Sequence, residues 1–245
     1  MPHSPRLYSD QGRSRMTGTV SELALAMLAF LAIHIIPSSV LRQGIIEKIG
    51  YIGYMAFFNI LSIAIFIWLC FAYGEAPTGE MLWDSGNAGR YLAVVLMAIA
   101  SILMIGSYTS PNPTVVGGDK TLGTEGSYSG INAISRHPLM WAIVLWSITH
   151  LVNNGDITGI IFFGGIGLLA LSGTFLIDAK KARQLGPGWE DFRERTSNIP
   201  FLAILQGRAR FSLSRLWWRI LLGLVVFALF FHFHALVIGV SPMPY

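Results

Sequence analysis

Two histidines stand where histidine is expensive. His34 lies in FLAIHIIP and His150 in MWAIVLWSITHLVNNGD, both apolar enough to sit in lipid. An ionisable side chain within a membrane span seldom faces lipid and turns toward the protein interior or a cavity. On a helix His150 shares a face with Trp146, Ile143 and Leu139, and His34 shares one with Phe30, Met27 and Leu23. A single histidine on such a stripe is usually a hydrogen-bonded core residue, and that plain reading stays open for both. Two of them on separate segments suit a pair of neutral imidazoles facing each other, the axial donor set of an iron porphyrin. His34 and His150 are the iron ligands expected on this reading, with Trp146 packed near the porphyrin. At about 1.5 Å per residue, His34 lies about 21 Å from residue 20 and His150 about 18 Å from Pro138. Within an apolar core of about 30 Å their depths match loosely. Zinc would need a third ligand, for which His234 is available. The carboxylate-poor surroundings argue against magnesium, calcium or a di-iron carboxylate centre.

Cys70 is the only cysteine. It can form no intramolecular disulfide, no four-cysteine metal site and no thioether link to a c-type haem. A haem here would be held without a covalent link.

Arg136-His137-Pro138 opens the His150 segment. Proline fits the first turn of a helix, where its missing N–H is not needed. Arg136 and His137 are then either a start signal with a positive anchor or a weak site for an anion or substrate. In the second case the ligand would rest between the cation and the exposed N–H groups of the helix end.

These residues need a scaffold that holds them in lipid. The chain is 53% hydrophobic and 12% charged, against about 25% charged for a soluble domain. Apolar runs long enough to span occur at about 20–41, 51–73, 89–108, 138–154, 157–177 and 216–240. The fold expected is an all-α polytopic membrane helix bundle of about six transmembrane helices. Residues 1–18 read as a disordered tail and 19–245 as one transmembrane domain, with Met16 an alternative start. Asn153-Asn154-Gly155-Asp156 reads as a tight helical hairpin, with glycine ending one helix and aspartate capping the next. Gly159, Gly164, Gly165, Gly167, Ser172 and Gly173 predict close helix approach in the fifth span. Residues 109–136 read as a binding loop or a disordered connector. In residues 178–215, Lys and Arg with Trp189 and Phe192 suit a segment at the headgroup level, or a plain basic anchor.

Thirteen of the 17 Lys and Arg residues fall in or beside the loops after the first, third and fifth spans. Arg6, Arg13, Arg15 and Arg90 fall on the other side. The positive-inside rule places the richer side in the cytoplasm and both termini in the periplasm. The partners expected are the lipid bilayer and a lipid-soluble substrate or membrane redox protein; no nucleic-acid partner is expected.

The chain resembles the NnrU family of bacterial membrane proteins. SRHPLMWAIVLWSITHLVNNGD, SPNPTVVGG, RERTSNIPFLAILQGR, HALVIGVSPMP and FLAIHIIP match that family's blocks in order, over about residues 20–245. The resemblance implies a multi-pass inner-membrane protein linked to nitrite and nitric oxide metabolism (denitrification). The same family includes the 15-cis-zeta-carotene isomerases, whose implied b-type haem has two axial histidines at positions corresponding to His34 and His150. Trp141 and the Asn-Asn-Gly-Asp hairpin look more like the NnrU branch. The functions implied are redox sensing, electron transfer or isomerisation of a lipid-soluble substrate; the competing reading is an accessory or assembly protein for a membrane reductase, with structural histidines. A more distant likeness to SAM-dependent membrane methyltransferases rests on Arg-His-Pro and the later basic, aromatic segment. Met140-Trp141-Ala142 stand where those enzymes have tyrosine and glycine, and their Glu-Glu pair is missing.

Overall fold

A computed structural model of the chain describes residues 18–35 and 41–244. The tail read over 1–18 thus falls, apart from Gly18, outside the described residues, as does the end of the first span.

The structure is an all-α bundle. Its helices are α1 (Val20–Ile35), α2 (Leu41–Glu75), α3 (Gly86–Thr109), α4 (Ile131–Ile134), α5 (Pro138–Asn153), α6 (Ile157–Gly159), α7 (Gly165–Leu185), α8 (Pro187–Arg195), α9 (Leu202–Leu205) and α10 (Leu213–Ile238). A π-helical turn, Ile160–Gly164, joins α6 to α7 into one continuous rod. Among the described residues four stretches are long and apolar enough to cross a membrane: Gly44–Glu75, Gly86–Thr109, Ile157–Leu185 and Leu213–Ile238. α1 and α5 are apolar but have 16 residues each, about 24 Å of helix. α2 begins well before residue 51, and its two halves meet at Gly50, whose φ of 74° no helical residue adopts.

α5 lies at the centre, against α3 on one side and α7 on the other; α10 packs on α3, and α1 on α2 and the π turn. Leu23, Ala26, Met27 and Phe30 follow the helical period and form the buried stripe of α1, in a cluster with Leu69, Ala72, Phe162 and Phe163. Gly165 is required here, because a Cβ on it would lie 2.3 Å from Met27 Sδ. Gly167 likewise faces Ser147, and Gly173 faces Met140. The small residues of the fifth span thus sit where neighbouring helices touch it.

The connections segregate to two ends. At the hairpin end, α1 begins beside Glu75, and Arg90 donates to the carbonyls of Ser241 and Met243. Here β1 (Met81–Trp83) pairs antiparallel with β2 (Gly155–Asp156). Asp156 caps α6, its Oδ1 accepting from Thr158 N and Gly159 N. Gly155 does not end α5 as expected; Asn154 does. Glycine stands at 155 because a Cβ there would meet Trp83 O at 2.0 Å.

At the opposite, basic end, residues 110–136 form two 3₁₀ turns and α4, folded onto the bundle. Asn132 donates to Pro111 O at 2.7 Å, and Lys181 pairs with Asp119. α8 differs from its reading. Trp189 and Phe192 are fully buried, packed on each other and, through Phe192, on Tyr128. Its aromatic face therefore belongs to the protein core, not to lipid headgroups; amphipathicity alone does not choose between the two partners.

Candidate functional site

α5 carries a histidine near each end, and the two are built differently. His150 lies one turn from the helix end. The last four carbonyls of a helix lack partners within it, yet side chains meet those of its final turn. Asn153 Nδ2 donates to Thr149 O, Asn154 Nδ2 to His150 O, Trp83 Nε1 to Leu151 O and Ser85 Oγ to Val152 O, over 2.6–3.1 Å. The Asn-Asn pair and β1 thus fasten the segment that bears His150.

The imidazole of His150 donates from Nδ1 to Trp146 O at 2.8 Å. A carbonyl only accepts, so in the neutral ring Nε2 is the lone-pair nitrogen. Phe163 stacks on the ring, with centroids 4.7 Å apart and planes at 27°. Trp146 lies 4.6 Å from the ring centre and 5.2 Å from Phe163. Phe163 reaches this place from the π turn, a distortion frequent at functional sites.

His34 repeats the pattern on α1. Its Nδ1 donates to Phe30 O at 2.7 Å. Its Nε2 faces Ser62 Oγ across 3.4 Å, a long bond for a hydroxyl. Phe30 and Phe58 flank the ring at 4.5 and 5.6 Å. Phe30 and Phe163 belong to one buried cluster, so both histidines border the same apolar core. In each neutral ring Nδ1–H is given to backbone and Nε2 is the lone-pair nitrogen, which in His34 faces Ser62 Oγ; metal-bound histidines use the same tautomer. Two lone-pair imidazole nitrogens are the donor type that a haem iron takes. His234 bonds from Nδ1 to Val240 O, and His232 is exposed on α10. Among the described residues no three His, Cys, Asp or Glu side chains gather as a metal site.

The start of α5 is ionic. Pro138 occupies its first turn. Arg136 grips Asp178 on α7 through Nε at 3.0 Å and Nη2 at 2.5 Å. His137 donates from Nε2 to the same carboxylate at 2.7 Å. Burial holds the His137 imidazole below the ordinary histidine range, outweighing the upward pull of Asp178. The adjoining backbone is stitched to the α8–α9 connection: Arg136 N donates to Ser197 O, Ser135 Oγ to Asn198 O, and Trp141 Nε1 to Asn198 O. Asp178 and Asn198 were absent from the residues picked out by sequence. Asp178 carried a signal, since a lone carboxylate closing the apolar run TFLID needs a partner; Asn198 carried none.

The family model described as "NnrU protein" matches residues 22–242. Among curated proteins, the chain is 35% identical over 82 residues to the chloroplastic 15-cis-zeta-carotene isomerase of Arabidopsis thaliana, and 32% identical over 84 residues to that of Zea mays. These matches cover 33% and 34% of the chain and 22% of each relative. No solved structure matches significantly.

Proposed function

The chain belongs to the NnrU family, and on that premise we propose that it is a b-type haem protein of the bacterial inner membrane. Six helices cross the bilayer, with α1 and α5 the short ones, and both termini lie in the periplasm. The supporting observation is the matched tautomer of His34 and His150: each commits Nδ1–H to the carbonyl four residues back and presents Nε2.

Bound there, haem would supply a redox-active iron within an apolar, aromatic surrounding. The protein's part is to orient both imidazoles, keep them neutral and exclude water. Phe30, Phe58 and Phe163 do this beside the rings, and the capped end of α5 fixes the backbone of His150. Such a site suits electron transfer, redox sensing or isomerisation of a lipid-soluble substrate. The isomerase relatives favour the last, and the family's link to nitrite and nitric oxide metabolism favours the first two.

The visible spectrum of protein purified from haem-replete cells tests the reading. A Soret band with low-spin reduced features is expected. A haem-free protein would falsify it and leave both histidines as hydrogen-bonded core residues. A C-terminal phosphatase fusion should be active and one within 178–215 inactive; the reverse pattern ends the topology.

A further inference from the structure

The basic end carries an arginine cluster that the histidine pair does not use. No Asp or Glu occurs after Glu194, whereas Arg195, Arg208, Arg210, Arg215 and Arg219 do. α10 has 26 residues, about 39 Å of helix against an apolar core of about 30 Å. From Ile220 to Ile238 it contains no Asp, Glu, Lys or Arg, and that stretch alone rises about 28 Å. The start of α10, with Arg215, Trp217, Trp218 and Arg219, therefore stands at headgroup level.

These side chains share one edge. Arg219 Nη1 donates to Arg215 O one turn back, and its guanidinium lies 4.4 Å from the centre of the Trp218 ring. Arg219 Nη2 donates to Thr109 O at 2.9 Å, which brings the end of α3 to the same level. Among the described residues no carboxylate pairs with Arg219 or with the exposed Arg210. Arg215 has one acidic partner, Glu125, whose side chain is 84% exposed. An exposed pair of this kind holds weakly. Trp217 and Trp218 are both exposed, and tryptophan favours the membrane interface.

We propose that this edge of α10 is a docking surface for an anionic membrane phospholipid, whose phosphate is taken by Arg215 and Arg219 beside Trp217 and Trp218. Arginine suits a phosphate because its planar fork donates two parallel bonds. The charge selects the lipid class. A zwitterionic headgroup brings its own ammonium, whereas an anionic one brings only the negative charge that these arginines lack. The headgroup competes with Glu125 for Arg215. The proposal rests on α10 crossing the bilayer and not on the histidine pair, so it stands or falls apart from haem.

The test uses the full chain in phosphatidylcholine nanodiscs, titrated with phosphatidylglycerol whose chains are brominated near the headgroup. Bromine quenches nearby tryptophan, and the share of quenching lost in a Trp217→Phe, Trp218→Phe double variant reports this edge. Half-quenching should come at a lower lipid fraction with brominated phosphatidylglycerol than with brominated phosphatidylcholine. Arg219→Gln and Arg215→Gln should each raise that fraction about fivefold, the worth of one basic residue at a charged surface. Glu125→Gln frees Arg215 and should lower it, a gain that a misfolded chain would not show. Arg183→Gln, exposed near the end of α7, should leave it nearly unchanged. Equal quenching by the two lipids overturns the proposal, as does an equal loss in Arg183→Gln, no gain in Glu125→Gln, or full displacement by inorganic phosphate.

Discussion

His137 and His150 sit on one helix and carry opposite tautomers. His150 gives its Nδ1 proton to the backbone and lies against Trp146 and Phe163; His137 gives its Nε2 proton to the Asp178 carboxylate. The difference lies in the acceptor each imidazole finds. In the last turn of α5, the carbonyl four residues back is within reach of Nδ1, which leaves Nε2 as the lone-pair nitrogen. His137 precedes Pro138, outside α5, and its ring turns to Asp178 on the neighbouring rod. The same residue type thus leaves Nε2 as the lone-pair nitrogen at one end of the helix and Nδ1 at the other.

The largest expected effect is on the aromatic side. His34→Ala and His150→Ala should each convert the reduced spectrum from low-spin to high-spin or lose haem, whereas His137→Gln should leave it unchanged. An identical spectral change in all three would erase the distinction.

Next comes the ionic end. Arg136 and Asp178 are largely buried, and removing one partner of a buried pair costs about 3–5 kcal/mol. Arg136→Ala should lower unfolding stability by that order in detergent. Arg136→Lys should restore only part of it, since lysine lacks the two-pronged grip seen on Asp178. Full restoration would make Arg136 a plain positive anchor.

A smaller effect is expected from pH. The folded state holds the His137 pKa below its unfolded value, so the unfolded chain binds the proton more readily. The contribution to stability is complete above about pH 6.5 and fades as pH falls through that value toward the lower folded one. The groups facing the ring are Asp178 and Arg136. Unfolding followed from pH 7.5 to 5 should show this loss, and His137→Gln should remove that part of it.

The smallest is at the end of α5. Trp83→Phe deletes one bond, to Leu151 O, and should cost about 1 kcal/mol. Hydrogen exchange should quicken in the last turn of α5 while the Arg136–Asp178 end stays protected.

Much of this frame was legible in the sequence. The Leu23–Phe30 stripe, the 153–156 hairpin, the Asp156 cap and the small residues of the fifth span carry their geometry in their spacing. What stayed hidden depends on distant partners. The carboxylate that Arg136 and His137 share comes from residue 178, and nothing local to Arg-His-Pro names it. Trp189 and Phe192 gave α8 an aromatic face without saying whether protein or lipid would cover it. The π turn has no spacing signature, although it places Phe163 on His150. The ends of α2 and α7 run past the apolar stretches, because a helix continues through the polar residues of a membrane interface and hydropathy does not.

The contact between Gly155 and Trp83 reaches beyond stability. The four-residue hairpin looks like a convenient place to insert an epitope or a labelling cysteine for mapping the membrane topology. In the folded chain Gly155 is buried and lies directly on the Trp83 backbone, so a tag there would pry β1 from β2 and report an opened molecule. The exposed stretch from Pro77 to Glu80 lies at the same end of the bundle without that disturbance, and reporters placed there should read the native orientation.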